Sequence, residues 1–147
     1  MARSAVFVAN AELYPYRIII AEDDDSLASL LTRLILRGYP TAVVRAFGNG
    51  QDALAAYDQA GADLLFVNHG MPVMDGPTMI RILRARGDSV PMIGISGNPG
   101  LQDENMSAGA TAFFAGAEVL TQLSALLRRF VPPAPRSPSL DAFLCLP

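Results

Sequence analysis

Short apolar runs alternate with helical patterns along most of this 147-residue chain. The first run, residues 17–21, is Arg-Ile-Ile-Ile-Ala, a compact β-branched segment typical of a strand buried on both faces of a parallel sheet. A helical pattern follows each run, so the chain is a series of strand–helix units. We predict the remaining strands at residues 41–47, 63–67, 91–96 and 111–115.

The first helix is the most sharply defined by the sequence. From Leu27 to Ile35, leucine and isoleucine recur at i, i+3, i+4, i+7 and i+8, and we expect Gly38 to lie just past the end of this helix. Alternating strands and helices imply βαβ crossovers. We therefore predict a flavodoxin-like, doubly wound α/β domain with a five-stranded parallel sheet and helices on both faces. The other predicted helices are residues 51–60, a segment opening near Pro77, a short polar stretch at 101–109 and residues 118–130.

The predicted topology also predicts where a functional site would lie. In a doubly wound sheet, ligands bind beyond the carboxyl ends of the strands, where the strand order reverses. The candidates are the residues that follow the first, third, fourth and fifth strands. They are Glu22-Asp23-Asp24, Asn68-His69-Gly70, Ser96-Gly97 and Gly116-Ala117.

Composition excludes several classes of protein. Hydrophobic residues make up 51% of the chain, charged residues 17%, and the net charge is -3, so a core can form but a basic nucleic-acid surface is not expected. No apolar run approaches the roughly 20 residues that span a bilayer, and residues 5–9 are too few for a signal peptide. The single cysteine, Cys145, suits a reducing compartment. We expect a cytoplasmic protein without nucleic-acid or membrane partners.

The three acids after the first strand allow two interpretations. Adjacent carboxylates such as Glu22, Asp23 and Asp24 raise one another's pKa unless a cation relieves them, and Mg²⁺ prefers hard oxygen ligands. The alternative is a solvated acidic helix start, with Asp25 or Ser26 as the N-cap residue. The triplet alone leaves both open.

The segment after the third strand favours a particular family. It contains Met71-Pro72-x-Met74-Asp75-Gly76, with the acidic pair Glu22-Asp23 before it and Ser96 at the end of the fourth strand. Residues 109–114 (Gly-Ala-Thr-Ala-Phe-Phe) also match the approach to the fifth strand. Over residues 17 to about 130, the chain resembles the response-regulator receiver domain family.

The resemblance implies roles for individual positions. In the family, an aspartate accepts a phosphoryl group from a histidine kinase, and a lysine after the fifth strand neutralises that group. Those two positions are Asn68 and Gly116 here. The family's Mg²⁺ ligands besides the aspartate are matched by Glu22, Asp23 and the carbonyl of Gly70, its hydroxyl residue by Ser96, and its aromatic switch residue by Phe113.

Both departures fall on the reactive centre. An amide is not a carboxylate nucleophile, so Asn68 removes the acyl-phosphate chemistry, and Gly116 removes the stabilising cation. We expect a non-enzymatic receiver in two-component signalling that acts by protein–protein contact and binds Mg²⁺ weakly. Its partner would be a histidine kinase, another response regulator or a second copy.

Two alternatives remain open. Asn68 could be an artificial substitution in a conventional phosphoacceptor. The same scaffold could also bind a small ligand such as a flavin, although three acids at the first turn disfavour a phosphate there.

The ends of the chain lie outside the predicted receiver domain, which we place at residues 17–130. Residues 1–16 form an N-terminal extension, and residues 131–147 begin with a stiff Pro-rich spacer. With only these 17 residues after residue 130, we expect no DNA-binding domain. The last segment is predicted to be either a disordered tail or a docking arm, whose contacts would come from Leu140, Phe143, Leu144 and Leu146.

Overall fold

A computed structural model describes residues 15–131 of the chain as alternating strands and helices. The strands are β1 (Arg17–Ala21), β2 (Val43–Phe47), β3 (Leu64–Asn68), β4 (Met92–Ser96) and β5 (Ala112–Ala115). The helices are α1 (Asp25–Gly38), α2 (Gly50–Ala60), α3 (Gly76–Ala85), α4 (Gln102–Ala108) and α5 (Glu118–Phe130), and a 3₁₀ turn (Pro99–Leu101) precedes α4.

The five strands form one parallel sheet in the order β2-β1-β3-β4-β5. The order reverses at β1 and β3, so the carboxyl ends of these two neighbouring strands open onto a crevice. The predicted flavodoxin-like α/β class, with five parallel strands, is confirmed.

Helices cover both faces of the sheet. On one face, α1 and α5 pack against the sheet through Leu31, Ile35, Leu123 and Leu127, all of them buried. On the other face, α2, α3 and α4 bury residues that include Leu54, Met79, Ile80, Leu83 and Ala108. Because β1, β3 and β4 are buried on both faces, their sequences are continuous apolar runs.

Several element boundaries differ from the sequence-based expectation, most by one residue: β3, for example, is Leu64–Asn68 rather than residues 63–67. The N-cap of α1 is Asp24, whose carboxylate accepts from the backbone N–H of Ser26 and Leu27, so the prediction of Asp25 or Ser26 was wrong. Gly38 is the last residue of α1 rather than the residue past its end. Strand β2 begins two residues later than predicted, because Ala42 N donates to Tyr39 O and closes a turn.

The ends of the described region meet the core. Tyr16 packs against the α1/α5 layer, and its carbonyl accepts from Val43 N. Val131 is fully buried. The predicted docking contacts Leu140, Phe143, Leu144 and Leu146 lie outside the described residues.

Within residues 15–131, no helix is both long enough and apolar enough to cross a membrane.

Candidate functional site

The carboxyl ends of β1, β3 and β4 and the turn after β5 enclose a cleft of about 450 Å³. Eight of the predicted site residues line it, and they come from four separate segments of the sequence. The topology therefore brings together residues that are up to 95 positions apart, as the doubly wound order predicts. The eight are Glu22, Asp23, Asp24, Asn68, Ser96, Gly97, Gly116 and Ala117, whereas His69 and Gly70 are not part of the lining.

The Asn68 side chain organises this cleft. Its Nδ2 atom donates to Glu22 Oε1 at 3.0 Å and Asp23 Oδ1 at 2.9 Å, and it lies 3.2 Å from the carbonyl oxygen of Gly70. Carboxylates and carbonyls accept hydrogen bonds, so the amide nitrogen, not the amide oxygen, must face them. The site is held together by one neutral donor among three oxygen acceptors.

Glu22 is the most buried of these acceptors, with 4% of its surface exposed. The pKa of its carboxyl is raised to about 7, chiefly by burial and to a smaller extent by the neighbouring Asp23, while the hydrogen bond from Asp24 N lowers it. At neutral pH, Glu22 is therefore partly protonated.

The arrangement does not fit a magnesium ion. The oxygens that the family resemblance assigns to Mg²⁺, those of Glu22, Asp23 and Gly70, all face the amide nitrogen of Asn68, and an N–H donor cannot share that point with a cation. Within residues 15–131, no three His, Cys, Asp or Glu side chains converge as metal ligands. A cation would enter only if the carboxamide turned and broke its bonds to both acids.

Gly116 is the residue predicted to lie at the family's lysine position after β5. It has φ +57 and lies in the turn between β5 and α5. Its N–H donates to Ser96 O at 2.7 Å, which continues the β4–β5 pairing by one residue. No basic residue lines the cleft. The chain contains no lysine at all, since its eleven basic residues are arginines.

The loop from Met71 to Gly76 keeps the close packing that its motif requires. Gly76 N donates to His69 O at 2.9 Å, and a Cβ on Gly76 would lie 2.2 Å from the Asn68 carbonyl oxygen, so only glycine fits there. Asp75 is the N-cap of α3, and its carboxylate accepts from Thr78 N at 2.8 Å. Val73 has φ +67, an unfavourable angle for a β-branched residue.

The two predicted switch residues lie in different surroundings. Ser96 lines the cleft, and its hydroxyl accepts from Asn98 N at 3.1 Å. Phe113 is half-buried and packs beside Gly94, its partner in the β4–β5 register. These positions suit the predicted roles, which stay predictions.

A polar contact joins the loop after β3 to α4, and nothing in the sequence pattern predicts it. His69 Nδ1 lies 2.9 Å from Asn105 Nδ2, and His69 Nε2 lies 3.5 Å from Glu104. Asn105 is fully buried and also donates to Leu101 O at 2.8 Å. Since Asn105 Nδ2 is a donor, His69 Nδ1 must accept, which leaves the proton on Nε2 facing Glu104. Residues 101–109 have no clear hydrophobic periodicity, so the contact between His69 and Asn105 could not be predicted from the sequence.

A five-stranded sheet in this order, with an acidic cleft at its switch point, defines a receiver-type domain. The family model described as "Response regulator receiver domain" matches residues 18–127. The chain belongs to this family, which acts in two-component signalling.

Proteins of known identity agree with this assignment. The chain is 31% identical over 121 residues to the transcriptional regulatory protein PrrA of Mycobacterium tuberculosis, covering 78% of this chain and 51% of PrrA. The DNA-binding response regulator MtrA of Mycolicibacterium smegmatis is 33% identical over 121 residues, covering 77% and 51%. The chain thus spans about half the length of these relatives.

Solved structures support the fold. The receiver domain of the sensor histidine kinase PA1611 from Pseudomonas aeruginosa, which has a magnesium ion coordinated in its active-site cleft, superposes with a TM-score of 0.66 at 22% identity, covering 80% of this chain and 98% of that one. The chemotaxis protein CheY4 of Vibrio cholerae superposes with a TM-score of 0.69 at 20% identity, covering 80% and 99%.

Proposed function

We propose that this receiver domain signals by binding other proteins, without receiving a phosphoryl group. The observation that carries the proposal is the Asn68 carboxamide, whose nitrogen donates to Glu22 and Asp23 in the place of an acceptor carboxylate and its metal. An amide nitrogen has its lone pair delocalised into the carbonyl, so it is a poor nucleophile, and the amide oxygen carries no charge with which to attack phosphorus.

A second feature supports the same conclusion. A transferred phosphoryl group brings negative charge into a cleft that already contains Glu22, Asp23 and Asp24. Stabilising that charge requires a preorganised cation. Gly116 supplies none, and no arginine lines the cleft. The residues that remain can hold a fixed conformation but lack the means to transfer a phosphoryl group.

The partner class follows from the family. Receiver domains interact with histidine kinases or with other response regulators. We propose a partner of this kind, or a second copy of this chain, for the present domain. Such a partner would shift the domain between conformations only if it bound one of them more tightly. In this proposal the domain has no enzymatic activity of its own.

The proposal is tested by intact-mass spectrometry after incubation with a small phosphodonor and Mg²⁺. The wild-type chain should gain no mass, because it has no nucleophile. Asn68→Asp restores one with almost no change in side-chain shape and should acquire one phosphoryl group. Asn68→Asp/Gly116→Lys should acquire it faster, whereas Gly116→Lys alone should remain unmodified. A stable phosphoryl adduct on the wild-type chain would refute the proposal.

The same series addresses the alternative that Asn68 is an artificial change in a conventional acceptor. That alternative requires Asn68→Asp to be fully competent without a lysine, so a phosphorylation rate that rises when Gly116→Lys is added to Asn68→Asp counts against it. The small-ligand alternative is tested by the absorbance spectrum of the purified protein. A visible chromophore would support flavin binding, which the acids in the cleft disfavour.

A further inference from the structure

An open apolar groove of about 770 Å³ runs between the C-terminal half of α1 and the outer side of α5. Tyr16 and Tyr39 contribute to it, and their rings meet edge to face with centroids 6.0 Å apart. Two exposed arginines, Arg37 and Arg128, also line it. The aliphatic part of the lining comes from Leu34, Leu120, Leu123 and Leu127.

We propose that this groove binds the apolar segment 140–146 of the same chain. The segment contains Leu140, Phe143, Leu144 and Leu146. The first three have the spacing i, i+3, i+4, which lets their side chains share one side of a helical turn. A groove lined mainly by leucine and tyrosine is complementary to such a face, because binding removes apolar surface of both from water.

The covalent connection favours this occupant. The last described residue, Val131, is buried and donates its N–H to Leu127 O, and Leu127 lines the groove. The chain therefore leaves α5 beside the groove itself. Eight residues, 132–139, lie between this point and Leu140, four of them proline.

The length of this spacer is sufficient. A polyproline-type segment extends about 3.1 Å per residue, so residues 132–139 reach up to about 25 Å. Helix α5 has 13 residues, which at about 1.5 Å per residue corresponds to about 20 Å. Leu140 can therefore reach any point along α5, including Leu120 at the far side of the groove. A stiff spacer also loses less conformational entropy on docking than a flexible one would.

The charge of residues 140–146 suits the groove better than the charge of residues 1–14, the other terminal segment of the chain. Asp141 is the sole charged residue in 139–147, and its carboxylate is complementary to Arg37 and Arg128. Residues 1–14 contain one arginine and one glutamate, Arg3 and Glu12, and so offer no net charge to the groove. If a second copy docked through the same groove, Arg37 and Arg128 of the two copies would face each other and repel.

The groove is adjacent to the cleft described above. Leu120 lines both, so a docked segment would pack on a residue that also forms a wall of the acidic cleft. Any partner that uses the groove would have to displace residues 140–146 first. The segment would thus act as an internal competitor for this face of the domain.

The test uses Cys145, the one cysteine of the chain, as a natural probe within the full-length protein. Ser124→Cys places a second thiol at an exposed position in the groove lining, and Gln122→Cys places one at an exposed position of α5 outside that lining. Positions 122 and 124 are separated from Cys145 by nearly the same number of residues. A difference between their rates of disulfide formation therefore reports docking rather than chain length. Because docking raises the effective concentration of Cys145 at the groove alone, we expect intramolecular disulfide formation, with oxidised glutathione added as the oxidant, to be about tenfold faster with S124C than with Q122C.

Two tail variants complete the experiment. Phe143→Asp in the S124C protein should slow the disulfide to the Q122C rate, and Ser137→Asp, which adds the same charge to the spacer, should leave it unchanged. Equal rates at positions 124 and 122 would overturn the proposal. Predominantly intermolecular disulfides would overturn it in favour of a second copy. Faster cross-linking between S124C and Phe7→Cys in a Cys145→Ser background would assign the groove to residues 1–14 instead.

Discussion

At the scale of single residues, Asn68 and an aspartate at the same position have nearly the same shape but opposite effects on their neighbours. A carboxylate would repel Glu22 and Asp23 and would need a cation between them. The carboxamide donates to both, at 3.0 and 2.9 Å, and so relieves their repulsion without a metal. The substitution therefore changes the nucleophile and the cation requirement together.

Mg²⁺ binding should respond to this one residue. We expect no saturable Mg²⁺ binding to the wild-type chain in the low millimolar range. Asn68→Asp should bind Mg²⁺ at least about tenfold more tightly, because it adds a third carboxylate and removes the competing N–H donor. Calorimetric titration measures both, with Asp52→Asn, an exposed acid outside the cleft, as the control. Equal affinities for wild type and Asn68→Asp would contradict the geometry described for Asn68.

Val73 gives a second prediction at this scale. Its φ of +67 is costly for a β-branched side chain, and the residue is 76% exposed, so little packing offsets the cost. Val73→Gly should therefore raise the free energy of unfolding by about 1 kcal/mol. Chemical denaturation checks this, with Val43→Gly as the matched control. Val43 is exposed in β2 at an ordinary backbone angle, so its replacement by glycine should destabilise the protein.

At the scale of elements, a Tyr–Asp hydrogen bond joins α2 to the turn before β4. The Tyr57 hydroxyl donates to Asp88, whose carboxylate also accepts from Val90 N. The bond from Tyr57 lowers the pKa of Asp88, while burial and the Asp88 carboxylate raise the pKa of Tyr57 to about 12. The link therefore ties α2 to the turn that joins α3 to β4.

The sign of its pH dependence follows from the direction of the Asp88 shift. A lowered pKa in the folded state stabilises the protein above the ordinary value of 3.8 and loses that contribution as the pH falls through the folded-state value. A double-mutant cycle of Tyr57→Phe and Asp88→Asn should show a coupling of about 1 kcal/mol at pH 7. The coupling should decline below about pH 3.8. A coupling that is constant down to pH 2, measured by urea denaturation, would disagree with this account.

At the scale of the whole molecule, hydrophobic periodicity predicted the strands and helices whose buried residues recur at a regular spacing. The ranges of β1 and α5 were predicted correctly to the residue, because burial of one side of a regular element requires apolar residues at a regular spacing. The cleft residues were predicted because strand ends converge in a parallel sheet. The N-cap of α1 was predicted one or two residues too late, at Asp25 or Ser26, since Asp24, Asp25 and Ser26 are all good capping residues.

What the sequence could not predict depends on side-chain pairing between distant segments. The contact between His69 and the buried Asn105 joins residues 36 positions apart, and neither has a periodic signature. The orientation of the Asn68 carboxamide likewise depends on where the fold places Glu22, Asp23 and Gly70, whose oxygens face its nitrogen. Both features follow from the fold and become visible only once the strands are in register.

The most direct measurement is the amide NMR spectrum of the wild-type chain with and without beryllofluoride and Mg²⁺, which together mimic a phosphorylated aspartate. A domain that signals without a phosphoryl group should show no shifts at Gly70, Ser96 or Phe113, because Asn68 offers no carboxylate to the beryllium. Asn68→Asp, the positive control, should show shifts at these residues. Saturable shifts of the same residues in the wild-type chain would contradict the account.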